Sequence, residues 1–298
     1  MKNQELGQMK FIPVSGGSLA TWSEGKGRPV IFLHGGPGDT HHYTKRMAAP
    51  LFDNFQCIFF DQRGTGLSEI KNREPSQFRL ELMLEDLLSV KNAYTPEPAM
   101  LVGHSWGAMY GLFACINTPQ HFARAALLNM GPLDAEAGVK TSENLLAALT
   151  DNEREYWTQL RKRRNAARDT GNSNEVMECD RLMMNLRVKS WIFDPNLHKP
   201  FLEDYFQDPP PDRDVNKWVW DSLGNWFSWD RVQAATMPIW LCVGKNDSTP
   251  VDQAKKLAGL LPITQLSIYE ECGHIPWMEH PDRFYSDLQH FLTLENLT

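Results

Sequence analysis

Short apolar runs recur along this chain, and from the third onward they alternate with segments whose apolar residues return every three or four positions. Residues 11–14 and 19–22 flank Gly16-Gly17, the pattern of a β-hairpin. Runs at 30–33, 57–60, 100–102, 125–128, 239–243 and 266–269 follow, which makes eight predicted strands. The later runs do not alternate with polar residues, as parallel strands covered on both faces require. The clearest helical pattern follows Ser76, read as its N-cap. It puts Leu80, Leu84, Leu87 and Lys91 on neighbouring turns, with Glu81 and Glu85 outside. Residues 106–116 form a second helix that ends before Thr118-Pro119, and 282–292 a last one behind Pro281. A hairpin followed by β-α repeats predicts an α/β fold, a doubly wound, mainly parallel eight-stranded sheet with helices on both faces.

One stretch breaks the rhythm. Residues 133–230 contain no predicted strand, are dense in charge around Arg161–Arg164, and then run through Pro209-Pro210-Pro211 into Trp218, Trp220, Trp226 and Trp229. They read as a mainly helical insertion after the sixth strand, a cap over the C-terminal edge of the sheet. The core is then 1–132 with 231–298, and the cap 133–230.

Composition narrows the picture modestly. With 30 Lys and Arg against 37 Asp and Glu, the net charge of −7 argues against a nucleic-acid or anionic-membrane surface. No segment approaches 18 apolar residues, and Met1 to Glu5 lead into no signal-like stretch, so no membrane span and no export are expected. The five cysteines are odd in number and widely spaced, which suits reduced thiols in a cytoplasmic protein. No metal-ligand spacing occurs, so neither metal nor cofactor is expected.

Chemistry enters with Gly103-His104-Ser105-Trp106-Gly107, a G-x-S-x-G between a buried strand and a helix. A sharp strand-to-helix turn there pushes the serine hydroxyl out of the sheet. A hydroxyl needs a base to become a nucleophile. His274, in Cys272-Gly273-His274 after the eighth strand, is the candidate, because His280 precedes Pro281 at a helix entrance and His290 lies mid-helix. Asp247, in Gly244-Lys245-Asn246-Asp247 after the seventh strand, is the candidate acid; Asp252 fits better in the first turn of the next helix. Serine, acid and histidine stand in the chain order of an α/β-hydrolase. Oxyanion donors are expected from the amide of Trp106 and from the loop His34-Gly35-Gly36-Pro37-Gly38, with Gly36 the chosen donor. His34 is expected to hydrogen-bond within that loop, and the side chains of His41 and His42 to diverge.

Together with Asp61-Gln62-Arg63-Gly64-Thr65-Gly66-Leu67-Ser68, these elements resemble the proline iminopeptidase (prolyl aminopeptidase) family of α/β-hydrolases over residues 9–132 and 231–298. The resemblance implies release of N-terminal residues from small peptides through an acyl-enzyme, with cap carboxylates holding the substrate amine. Two departures qualify it. Ser248 stands where some members carry glutamate, and the cap offers Asp221 where another glutamate is expected. Asp221, Trp226 and Trp277 are the candidate substrate-binding residues. A carboxylic-ester or lactone hydrolase with an apolar pocket is the alternative, and a silent ligand-binding homologue the remote one. The partner in either active reading is a small molecule or short peptide; the sequence leaves the oligomeric state open.

Overall fold

The computed structural model describes residues 9–224 and 227–294. Strands β1 (Lys10–Val14) and β2 (Gly17–Glu24) form the expected antiparallel hairpin. Then come β3 (Arg28–Leu33), β4 (Phe55–Phe60), β5 (Glu69–Ile70), β6 (Ala99–His104), β7 (Phe122–Leu128), β8 (Ile239–Gly244) and β9 (Thr264–Tyr269). The sheet runs β1-β2-β4-β3-β6-β7-β8-β9, with β5 paired to β2. All pairings from β4-β3 to β8-β9 are parallel. The sheet therefore has nine strands rather than eight. The extra one is two residues long, too short to leave a periodic trace in the sequence.

Alternation along each central strand feeds two separate cores. Ile31, Leu33, Leu101 and Leu127 pack with α2 (Leu80–Tyr94), α3 (Trp106–Asn117) and α9 (Val251–Leu260). Val30, Phe32, Met100, Val102 and Trp240 face the other way, onto α1 (His42–Ala48) and α11 (Pro281–Thr293). Both faces are covered, which is why these strands read as unbroken apolar runs. Ser76 does not cap α2: it sits in a one-turn 3₁₀ segment (Pro75–Gln77), and Arg79 holds the cap position. All five cysteines are buried and free.

Residues 133–230 contain helices α4 (Ala135–Ala147), α5 (Asp151–Asp169), α6 (Ser173–Trp191), α7 (His198–Tyr205) and α8 (Arg213–Leu223), and no strand among the described residues. The first two begin on side-chain caps, Asp134 to the Ala137 amide and a Thr150/Glu153 capping box. Leu145, Trp157, Leu160, Cys179 and Met183 give α4–α6 a small core of their own. A second cluster, with Val188, Ile192 and Phe201, reaches Ile275 and ties α6 and α7 to the loop after β9. Among the described residues, no helix is long and apolar enough to cross a membrane.

The D-Q-R-G-x-G-x-S element shapes the loop after β4. Asp61 Oδ1 accepts from the His41 amide and ring, its Oδ2 from the Leu67 amide, and Ser68 Oγ donates back to the Asp61 carbonyl. Arg63 is fully buried and makes a bidentate pair with Asp86 on α2, at 2.7 and 2.8 Å, plus a bond to the Gln77 carbonyl. Burial pushes the Asp86 carboxyl up to about 6 against the pull of that guanidinium. Removing one partner of a buried pair strands the other. Arg63→Met is therefore expected to destabilise the fold by about 3–5 kcal/mol in urea unfolding. Arg63→Met/Asp86→Leu should recover most of that loss, and an equal loss in both variants would mean packing, not charge, is at stake.

Candidate active site

Ser105 sits between the end of β6 and the start of α3 with φ 56° and ψ −120°. A non-glycine residue held there is strained. The strand and helix cross so tightly that a Cβ on Gly103 would lie 2.3 Å from the Gly107 carbonyl oxygen, and one on Gly107 2.0 Å from that of Leu33. The flanking glycines thus admit the turn, and the Ser105 amide, donating to the Leu128 carbonyl at 3.0 Å, fixes it. Ser105 lines a cavity of about 410 Å³ at the C-terminal edge of the parallel strands.

His274 lines the same cavity. Its Nδ1 is 2.7 Å from Asp247 Oδ2, and both side chains are almost wholly buried. A buried carboxylate accepts, so Nδ1 carries the proton and Nε2 presents its lone pair. That Nε2 is buried and has no hydrogen-bond partner among the described residues. Asp247 is held in turn by Asn129 Nδ2 on Oδ2 at 2.9 Å, and by the Thr249 amide and Ser248 Oγ on Oδ1. Asp252, as expected, is an exposed carboxylate in the first turn of α9.

A hydrogen-bond chain links the three loops of the site. Nε2 of His104 faces the His274 carbonyl at 3.0 Å, so it must donate, and its Nδ1 must accept from Tyr43 Oη at 3.0 Å. Tyr43 Oη then accepts the Gly35 amide at 2.6 Å. Burial depresses the pKa of His104 far below the usual imidazole range, which keeps this pattern neutral and fixed. His34 plays a similar part: its ring engages the Gly35 carbonyl and the Gln62 amide, and burial pushes its pKa down to about 4. Gln62 Oε1 accepts from the Trp106 indole.

Gly36 and Trp106 both line the cavity, and neither amide donates to an acceptor among the described residues. The Trp106 amide opens α3, so no helical carbonyl is available to it. The Gly36 loop is clamped from α8: Asp212 N–H donates to the Gly38 carbonyl at 2.8 Å and Asn216 Nδ2 to that of Pro37 at 2.6 Å. A Cβ on Gly38 would stand 2.4 Å from the Asp212 carbonyl oxygen, so this approach needs glycine.

The predicted substrate residues divide. Trp277 lines the cavity, its ring 4.7 Å from His104. Asp221 does not: it lies on the exposed side of α8, ion-paired to Lys217 one turn earlier. Trp220, its neighbour, turns into the cavity instead, with its ring 5.9 Å from Trp106. One residue is 100° of helical rotation, enough to separate wall from surface. Trp226 lies outside the described residues. The rings of His41 and His42 do not diverge but stack at 4.4 Å, one on Asp61 and the other on Thr40.

Sequence reasoning missed four further groups. Asn129 adopts a left-handed conformation (φ 43°) after β7 and bonds both Asp247 and the Gly273 carbonyl. Trp191, the last residue of α6, stacks on His274 at 4.8 Å and accepts its amide at 2.5 Å. Asp39 lines the cavity with no hydrogen-bond or ion-pair partner among the described residues. Its Oδ2 and Ser105 Cβ lie 3.5 and 3.4 Å from where a Cβ on Gly35 would stand, so both flank Gly35. Burial pushes its carboxyl up to about 6. Arg187 is the fourth. The one available sequence signal was the aspartate directly after the glycine loop.

The model of the alpha/beta hydrolase fold matches residues 28–281, and the chain belongs to that family. Within it the chain is similar to a proline iminopeptidase of Heyndrickxia coagulans, 24% identical over 95% of this chain and 97% of that one. Its fold matches the proline iminopeptidase of Mycobacterium smegmatis with a TM-score of 0.71 at 19% identity, covering 96% and 97% of the two chains. It also matches Est816, described as an N-acyl homoserine lactone degrading enzyme, with a TM-score of 0.67 at 19% identity over 95% and 100%.

Proposed function

We propose that this chain is a serine hydrolase of the proline iminopeptidase type, releasing N-terminal residues from short peptides through an acyl-enzyme. Ser105 attacks the acyl carbon and His274 Nε2 takes its proton. The same nitrogen then protonates the leaving amine, while Asp247 orients the ring and stabilises its charged form. The amides of Gly36 and Trp106 receive the developing oxyanion, and residues 133–230 act as a cap that closes the cavity over a small substrate. The observation that carries the reading is the buried His274–Asp247 bond with Nε2 left partnerless at the cavity that Ser105 lines. Five buried, free thiols suit a cytoplasmic enzyme.

The amine is assigned to Asp39, in place of Asp221. An ammonium taken into a partly dry cavity needs a carboxylate opposite it, and Asp39 is the cavity acid that has no partner among the described residues. Asp39→Asn is expected to cost about 2–5 kcal/mol in kcat/KM on aminoacyl anilides, the range for truncating a buried charge pair. Acyl esters of the same size should be nearly unaffected. The pH dependence has a definite sign. Above about 6 the acid is ionised and grips the amine; below it, it is neutral and does not. The groups that act on it are Arg213 and Arg187, which favour the charge, Asp208, which opposes it, and the neighbouring Tyr43 and Tyr205. The ratio of aminoacyl to ester kcat/KM, in which the steps common to both substrates cancel, should therefore fall on acidification through pH 6. A flat ratio, or equal losses on both substrates in Asp39→Asn, would remove the amine assignment.

One observation favours ester or lactone hydrolysis instead. The cavity acids contributed by residues 133–230 are all engaged: Asp180 by Arg164 and Arg213, and Asp204 and Asp208 by Arg46. Activity on acyl esters or lactones with none on aminoacyl anilides would establish that reading.

A further inference from the structure

Four arginines line the cavity: Arg46, Arg164, Arg187 and Arg213. Three have carboxylate partners, Arg46 with Asp204 and Asp208, Arg164 and Arg213 with the shared Asp180. Arg187 has none. Its guanidinium carbon lies 5.3 Å from the ring of Trp191 and 5.7 Å from that of Trp157, and none of its side-chain N–H groups meets an acceptor among the described residues. Aromatic faces hold a guanidinium through its flat side and leave its edge donors open. Burial and the nearby Arg213 and Arg164 all work against its charge, with Asp180 the opposing acid, so the group is held in a locally cationic cluster. Asp39 feels Arg187, yet no ion pair joins them.

Position matters as much as charge. Trp191 carries Arg187 on one contact and stacks on His274 on another, so the free cation stands one indole beyond the catalytic base. Arg187 is half-buried and lines the cavity with its donors free of any acceptor among the described residues, so an anionic ligand group there would supply one. The cavity lining holds four arginines against four aspartates, and once the ion pairs of Arg46, Arg164 and Arg213 are set aside, Arg187 and Asp39 are the cation and the acid left without a partner among the described residues. One monovalent anion would complete a pair with Arg187; a phosphate monoester would bring about two charges.

We propose that Arg187 anchors a carboxylate of the substrate, so that the cavity selects acyl substrates carrying a carboxylate over neutral ones of the same size. With the amine at Asp39, the preferred substrate is a zwitterion, such as a peptide short enough for its free C-terminus to reach Arg187. The assignment of Arg187 rests on this cavity being the substrate site, and not on the amine.

The test is equilibrium binding to the full chain carrying Ser105→Ala, which prevents turnover. The probes are 4-nitrophenyl hydrogen glutarate and its methyl ester, followed through the fluorescence of the cavity tryptophans. The hemiester is expected to bind at least about tenfold tighter, the value of one retained charge-assisted contact. Adding Arg187→Gln should bring the two affinities together, so that the ratio between hemiester and methyl ester falls to about one. Arg187→Lys, which keeps the charge, should retain part of the preference and guards against a mere folding defect. Equal affinities in the Ser105→Ala protein, no binding of the hemiester, or a preference that survives Arg187→Gln overturns the proposal. Because no hydrolysis is read, failure of the aminopeptidase reading would appear separately, in the anilide assay.

Discussion

Ser105→Ala is expected to abolish covalent labelling by a fluorophosphonate and to lower kcat/KM on every hydrolysed substrate by about 10⁵-fold or more. The size follows from the way such a triad works. Without the oxygen there is no acyl-enzyme, and an intact His274–Asp247 pair has nothing to deprotonate except water. The fold should tolerate the change, because Oγ makes no hydrogen bond among the described residues and alanine meets the same backbone demand at φ 56°. Intact-protein mass spectrometry reads the label, and the same preparation gives the rate. Turnover within tenfold of the unsubstituted chain, or labelling at another serine, would end the proposed mechanism.

The second large effect is expected at Asp247. Asp247→Ala should lower kcat by about 10⁴-fold with little change in KM, since in the proposed mechanism the carboxylate acts through the base, and Asp247 does not line the cavity. Stability should also fall, by about 1–3 kcal/mol, because the Asn129 amide loses a buried acceptor. Asp247→Asn separates orientation from charge. Two donors, from His274 and Asn129, meet at Oδ2, while Oδ1 receives the Thr249 amide and the adaptable Ser248 hydroxyl. An amide at 247 therefore turns its oxygen to the histidine and its NH₂ toward Ser248. That preserves the tautomer and loses the charge. Asp247→Asn should be impaired less than Asp247→Ala, and Asp247→Asn/Asn129→Ala more than either single change. Equal rates for Asp247→Asn and Asp247→Ala would show that charge alone matters. The comparison is made on kcat, with thermal melting as the control.

Much of this site was legible in the linear chain. The strand and helix periods bracket Ser105 on both sides, and the glycines at 103 and 107 are local consequences of a turn spanning a few residues. The ends of β8 and β9 likewise fix the loops of Asp247 and His274. Asp221 shows where such reasoning fails. A carboxylate near the right place in the chain faces solvent because its neighbour, Trp220, takes the inward side of α8. The signal for the strand at Glu69–Ile70 was absent for another reason, since two residues carry no period.

By itself, then, the sequence determined which segments become strands and helices, that the sheet is buried on both faces, and in what order serine, acid and histidine arrive. Those properties depend on backbone hydrogen bonding and on side-chain alternation over a few residues, and such short-range information is written in the chain. Only the tertiary structure decided which charges are satisfied and which remain free. Arg46 finds Asp208 across 162 positions of sequence, Asn129 finds Asp247 across 118, and Asp180 is shared by Arg164 and Arg213 from two helices. A carboxylate or guanidinium has the same formula whether paired or not. Its partner is chosen by the packing of whole elements, and so Asp39 and Arg187 became visible only when every other cavity charge had been matched.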